Sequence, residues 1–167
     1  MGIAINRNNA FVSFLVALFL FASCDSNGVF DQYTSLSGNV WSLDEPVEFE
    51  FQINDTIARN NLFINIRNNN DYGFSNLFLI THLKFPDGKK VVDTLEYRMT
   101  DKSGRFLGDG LSEKKESKLF YKENYTLQNS GNYKLSIQQA MRRNGSVEGL
   151  QELKGITDVG FRIEKIK

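Results

Sequence analysis

The sequence is poor in the residues that most often announce a chemistry. Among its 167 residues there is a single Cys, Cys24, and a single His, His82. That excludes a disulfide framework, a zinc-finger spacing and most Cys/His nucleophile triads. Neither charge sign is in excess, with 20 Lys and Arg against 20 Asp and Glu. The basic footprint of a nucleic-acid binder is therefore missing, and no nucleic-acid partner is expected. Internal repeats and long hydrophobic runs are lacking too. The apolar stretch Ala10 to Ala22 covers 13 residues and is interrupted only by Ser13, short of the roughly 20 needed to cross a bilayer as a helix.

That short stretch carries an address. Arg7 is the only charged side chain before Cys24, and the apolar run follows it directly, which is the layout of an export signal. The segment ends Phe21-Ala22-Ser23-Cys24, which resembles the bacterial lipobox, small residues before a Cys that is diacylated and becomes the mature N-terminus. Several acyl chains, each adding about 0.8 kcal/mol per buried methylene, anchor a protein without a spanning helix. The expected organisation is a lipoprotein signal peptide over 1–23, a lipidated tether over 24–39 and one domain over 40–167. Localisation follows as a lipid-anchored, periplasm-facing place in the cell envelope, with Cys24 as the lipid attachment site.

Downstream, hydrophobicity alternates with period two, as in strands with one buried face. Val47, Phe49, Phe51 and Ile53 alternate with Glu48, Glu50 and Gln52, and Leu62, Ile64 and Ile66 with Phe63, Asn65 and Arg67. Further runs cover Leu77 to Phe85, Val91 to Tyr97, Tyr133 to Met141 and Ile156 to Glu164. Turn formers separate them at Pro86-Asp87-Gly88-Lys89, Asp101-Lys102-Ser103-Gly104, Asn129-Ser130-Gly131-Asn132 and Asn144-Gly145, the last suiting a type I′ hairpin. One short helix is expected over Ser112 to Ser117, where Ser112 can cap polar helix formers. The fold class is all-β, an antiparallel β-sandwich with the jelly roll as one form of it.

Catalysis needs groups that can be brought together and tuned, and few are present. His82 alternates with Ile80 and Lys84 and has no second His to complete a metal set. Asp71, Asp87, Asp93, Asp101 and Asp109 offer oxygen ligands of the kind calcium takes on sandwich loops, but no EF-hand loop spacing is present and turn chemistry is the favoured reading. The segment Gly104-Arg105-Phe106-Leu107-Gly108-Asp109-Gly110 lacks the Lys-Ser/Thr of a phosphate loop. No catalytic residue, cofactor or metal is expected. Two features invite binding instead. Asn60-Asn61 and Asn68-Asn69-Asn70-Asp71-Tyr72-Gly73 set amide-rich loops beside an aromatic, and Trp41, Phe74, Phe106 and Tyr121 add rings that stack on sugars or proteins. A sandwich of this size also uses rings in its core and amides in its turns, so one or two exposed aromatics are expected. Asn69, Asp71 and Tyr72 form the candidate partner surface. Asp55-Thr56-Ile57 and Asp93-Thr94-Leu95 resemble a short periplasmic O-glycosylation acceptor.

Longer stretches carry a more specific likeness. Cys24-Asp25-Ser26-Asn27-Gly28-Val29-Phe30-Asp31-Gln32-Tyr33, Asn61-Leu62-Phe63-Ile64-Asn65-Ile66-Arg67-Asn68, Asp71-Tyr72 and Phe74-Ser75-Asn76-Leu77-Phe78-Leu79 come in order. Phe85-Pro86-Asp87-Gly88, Asp93-Thr94-Leu95-Glu96-Tyr97, Ala140-Met141-Arg142 and Gly155 to Glu164 follow. Together they resemble the GldH family of gliding motility lipoproteins of Bacteroidetes across the mature chain. The resemblance implies a non-catalytic envelope component of gliding, working with other Gld lipoproteins and linked to type IX secretion. It carries over one residue with a role, Cys24. The competing class is a glycan-binding envelope lipoprotein.

Overall fold

The period-two runs become strands in a computed structural model that describes residues 28–110 and 113–166. The strands are β1 (Gly28–Ser35), β2 (Val40–Ser42), β3 (Val47–Ile53), β4 (Arg59–Asn68) and β5 (Asn76–Lys84), then β6 (Lys90–Arg98), β7 (Lys115–Thr126), β8 (Gly131–Gln139), β9 (Glu152–Lys154) and β10 (Ile156–Lys165). Two four-stranded sheets, β1-β10-β4-β7 and β3-β8-β5-β6, pair antiparallel throughout. The short β2 and β9 form a separate ribbon. Counted without that ribbon, the eight long strands lie in the order 1-8-3-6 and 2-7-4-5, the double Greek key of a jelly roll. The sandwich expectation holds in its more specific form.

Alternation decides which side chains meet between the sheets. Val47, Phe49, Phe51 and Ile53 point inward from β3, Leu62, Ile64 and Ile66 from β4, and Leu135 and Ile137 from β8, all buried in one core. Phe161 of β10 packs among Phe30, Phe49 and Phe51 at centroid distances of 5.8, 6.0 and 5.2 Å, and Phe51 stacks on Tyr133 at 5.4 Å. Trp41 is carried into the same core by the ribbon, and its indole Nε1 donates to the Glu45 carbonyl at 3.2 Å.

Three sequence expectations change. Within the expected tether over 24–39, Gly28–Ser35 form β1, paired with β10 from Gly28↔Glu164 to Ser35↔Asp158. Residues 24–27 and the signal peptide over 1–23 lie outside the described residues. The helix expected over Ser112 to Ser117 is not formed where the chain is described: Lys115–Ser117 begin β7, opposite Asn68, Arg67 and Ile66, and Ser112 lies outside the described residues. Cross-strand partners on β4 win over local helix propensity there. At Asn144-Gly145 the turn is closed by the Ser146 N–H donating to the Arg143 carbonyl at 3.0 Å. Only Gly145, at φ +82°, is left-handed, so the turn follows the type II pattern and not the type I′ one, which requires both central residues there.

Register gives the sandwich two ends. The base gathers the start of β1, the 54–58 loop between β3 and β4, the 85–89 turn between β5 and β6, the 127–130 loop between β7 and β8, and the close of β10. Its loops are tied together: Asn129 Nδ2 donates to Asp87 at 3.2 Å, Ser130 Oγ to the Ile53 carbonyl at 3.2 Å, and Ile166 N–H to the Arg59 carbonyl at 2.9 Å. The opposite end, the crown, carries the loops at 69–75, 99–110 and 140–151.

Candidate interaction surface

The crown turn after β4 is built by its own amides. Asn69 Oδ1 accepts from the Asp71 N–H at 3.0 Å, Asn69 Nδ2 donates to Asp71 Oδ2 at 3.1 Å, and the Tyr72 N–H donates to the Asn69 carbonyl at 3.3 Å, an Asx-type closure. The Asn69 N–H donates to the Gly155 carbonyl at 2.9 Å, which docks the turn on the lead-in to β10. Gly155 sits at φ +86°, and a Cβ there would overlap the Tyr72 amide nitrogen. Only glycine allows this approach.

This arrangement divides the three candidate residues. Asp71 is exposed and Asn69 is half-buried, so their polar edges face outward at the crown. Tyr72, expected on the same exposed surface, is 3% exposed. Its ring lies against Phe74 and Phe106 at 5.9 and 6.4 Å, and its hydroxyl donates to the Asn76 carbonyl at 2.7 Å. Burial pushes its phenol well above the ordinary tyrosine value. Tyr72 thus fixes the turn from below and offers no contact of its own. Trp41 and Tyr121 are buried as well, and among the described residues Phe120 is the aromatic that the fold leaves largely exposed, at 51%.

A second arrangement escaped sequence reading. On the outer face of the β1-β10-β4-β7 sheet, cross-strand rows of polar groups are locked together. Tyr33 donates to Glu116 at 2.8 Å and accepts from Asn65 Nδ2 at 2.8 Å. The Arg67 guanidinium lies 4.1 Å from the Tyr33 ring centre while its Nε donates to Glu116 at 2.6 Å. Burial, then the Glu116 hydrogen bond, push the Tyr33 hydroxyl up to about 12. Beside it Asp158 accepts from Ser35 at 2.6 Å, Thr157 at 2.7 Å and Lys114 at 3.3 Å. Burial raises the Asp158 carboxyl, but these three donors together outweigh it and hold the group below the usual carboxylate range. Farther toward the base Arg162 bridges Asp31 and Glu164, and Lys118 reaches Glu164 at 2.7 Å. Burial raises Glu164 as well, and the two cations reverse it.

The signal that could have found this row is Gly160, an isolated glycine inside an alternating strand pattern. A Cβ at Gly160 would stand 2.7 Å from the Tyr33 ring, so the glycine is the seat of the tyrosine. Chemically the face is a brace of mutually satisfied charges. It presents paired ions where an open site would present convergent unpaired ones. Among the described residues no group of three His, Cys, Asp or Glu side chains could hold a metal ion. His82 stands exposed on the outer face of β5, opposite Val92 and Ser136.

The family model for the GldH lipoprotein matches residues 28–163, from the first residue of β1 into the last turn of pairing along β10. The chain belongs to the GldH lipoprotein family. Two relatives of this GldH-family chain extend over nearly all of it. The gliding motility lipoprotein GldH homolog of Christiangramia forsetii is 58% identical over 152 residues, covering 91% of this chain and 93% of its own. The gliding motility lipoprotein GldH of Flavobacterium johnsoniae is 46% identical over 157 residues, covering 94% and 96%. Among solved structures, a chain of the Aeromonas sobria serine protease and chaperone complex aligns at 14% identity and TM-score 0.33, over 90% of this chain and 30% of that one, a level that carries no argument.

The family match thus coincides with the sandwich, β1 included. This chain is a gliding motility lipoprotein of the GldH family, and its family places it at a membrane through lipid. The quoted family stretches fall on structural features: Phe85-Pro86-Asp87-Gly88 is the base turn closed by the Gly88 N–H to the Phe85 carbonyl at 3.0 Å, and Gly155 to Glu164 is the crown docking point plus β10. Cys24 lies outside the described residues.

Proposed function

We propose that this GldH-family chain is a non-catalytic component or assembly factor of the gliding and type IX secretion apparatus, held on the periplasmic side of a membrane by lipid on Cys24. Other gliding and secretion envelope proteins meet it at the crown. The observation that carries the reading is the opposition of the two ends. β1 starts four positions after Cys24, at the base, while Asn69 and Asp71 project from a turn that Gly155 and Tyr72 hold rigid at the crown. A rigid scaffold with polar loop groups at its free end is a common way to present a contact. The paired charges of the outer face and the core positions of Trp41, Tyr72 and Tyr121 favour a scaffold over a glycan platform, which needs open rings.

The test is a clean deletion in the native bacterium, complemented by wild type, Cys24→Ala, or Asn69→Ala with Asp71→Ala. Colony spreading, release of type IX cargo and co-purifying envelope proteins are scored. The expected result is loss of spreading and release on deletion, full rescue by wild type, and weak rescue by Cys24→Ala. The double variant should lose co-purifying partners while remaining folded. Normal spreading and release, with a growth defect confined to particular polysaccharides, would replace this reading by glycan binding.

A further inference from the structure

Three of the seven exposed large hydrophobics among the described residues stand at the base of the sandwich. Ile57, at the tip of the loop between β3 and β4, is 87% exposed, and Ile166 and Val29 stand out at the same end at 37% and 49%. Ile57 and Ile166 line one shallow cleft together with Arg59 and Lys165. The 54–58 loop that presents Ile57 is itself well fixed: Asp55 accepts from the Ile57 and Ala58 N–H groups at 3.3 and 3.1 Å and pairs with Lys165 at 2.8 Å. An isoleucine held rigidly outward gains nothing from the fold. Scattered single apolar residues need no explanation, but a group of them does.

Among the charges at this end that pair with no opposite charge, cations outnumber carboxylates. Lys89 and Lys90, in the turn before and at the start of β6, and Arg59 at the start of β4 are exposed and form no ion pair with any described carboxylate. Of the acids at this end, Asp55 and Glu164 are paired with cations, while Asp87 is held by neutral donors and the exposed Glu123 forms no ion pair with any described cation. Asp87 takes the Lys89 N–H at 2.9 Å and Asn129 at 3.2 Å, Asp55 takes Lys165, and Glu164 takes Lys118 and Arg162. An aliphatic tip at an end with an excess of unpaired cations matches the boundary between acyl chains and anionic headgroups.

Chain length supplies the decisive constraint. Only residues 25–27 separate Cys24 from Gly28, the first residue of β1. Four residue steps span at most about 14 Å even when fully extended. The lipid-bearing Cys24 of the reading above therefore cannot hold the sandwich far from its bilayer, and the end from which β1 begins is the base.

We infer that the base docks directly on the membrane that holds the Cys24 lipid, with Ile57 and Ile166 at the acyl boundary and Arg59, Lys89 and Lys90 on anionic headgroups. The inference rests on the lipidation of Cys24. The crown then points away from the bilayer, and the outer faces of both sheets stand upright on it.

The test uses the full-length lipidated protein. Ile57→Cys and, separately, Val147→Cys are labelled with an environment-sensitive fluorophore after reconstitution into vesicles of phosphatidylethanolamine and phosphatidylglycerol, Cys24 being blocked by its own acylation. Val147 is 86% exposed at the crown and serves as the reference. The expected result is a blue-shifted Ile57→Cys signal that is quenched by lipids spin-labelled near the headgroup, with an unshifted, unquenched Val147→Cys signal. Adding Lys89→Glu and Lys90→Glu should reduce the quenching at position 57. Intact mass of the same sample reads Cys24 acylation independently. Acylated protein with a water-exposed label at 57 overturns the docking and leaves the anchor standing. A blue shift without lipid quenching assigns the base to a contact with a second copy of the chain and also overturns it. An unacylated Cys24 overturns both readings.

Discussion

Asp158 shows how single residues set the behaviour of the brace. Its carboxylate is buried, with a side chain 7% exposed, between hydroxyl donors on β1 and β10 and the Lys114 ammonium. Because the folded-state value is depressed below the unfolded one, the associated stability is present above the ordinary carboxylate range. It is lost as pH falls from about 4 through the folded value. Asp158→Asn removes the charge and keeps the shape. Urea unfolding at neutral pH should report a loss of about 1–3 kcal/mol for the variant, the usual cost of deleting a hydrogen-bonded charge. At pH 3 the gap to wild type should narrow. A gap that stays constant would mean that Asp158 acts through packing alone. Asp101 makes a contrasting case: it is held down to about 2 by Ser103 and Arg105 donors within one exposed crown loop.

At the scale of elements, β1 decides where the domain begins. It covers one edge of β10 from Gly28 to Ser35, brings Phe30 onto Phe51 and Phe161 at 5.5 and 5.8 Å, and sets Tyr33 over Gly160. A chain beginning at Gly28 should therefore unfold in one cooperative transition. One beginning at Val40 should lose several kcal/mol, since deleting a single buried Phe already costs about 3–5 kcal/mol. Thermal unfolding followed by circular dichroism distinguishes them, and equal midpoints would return residues 28–39 to the role of tether. The same strand shows what was legible in the sequence. Strands β3, β5, β6 and β8 announce themselves because one face of each is the more buried and alternation follows, and the central strands β4 and β10, buried on both faces, stay legible through the apolar residues at their inward positions. β1 and β7 bury few of their side chains, so their sequences, GVFDQYTS and KESKLFYKENYT, are polar, and Gly28–Ser35 and Lys115–Ser117 read as tether and helix. The crown turn was legible as amides in a loop. The burial of Tyr72 was not, because it depends on Gly155, far along the chain, giving way to the turn.

As a whole molecule the protein is a braced block with unlike ends. The two sheets share one aromatic core, Tyr97 of β6 donates to the Phe120 carbonyl of β7 at 2.7 Å, and Asp93 of β6 takes Tyr121 and Lys122 of β7 at 3.1 and 2.9 Å. One open side of the sandwich is thereby sealed between β6 and β7. Such a block transmits position, so the distance between its base and the bilayer fixes where the crown stands. That distance can be varied without touching the fold. Inserting ten alternating Gly and Ser residues between Asn27 and Gly28 adds a flexible arm of about 17 Å root-mean-square length, while β1, the core and Cys24 stay unchanged. The variant should be acylated, partition with membranes and unfold at the wild-type midpoint. Colony spreading and cargo release should nevertheless fall toward the Cys24→Ala level, because the crown is no longer held at one height or orientation. Undiminished spreading, with the arm present and the protein in the membrane fraction, would mean that the partners follow the crown wherever it goes and that the lipid only keeps the protein in the compartment.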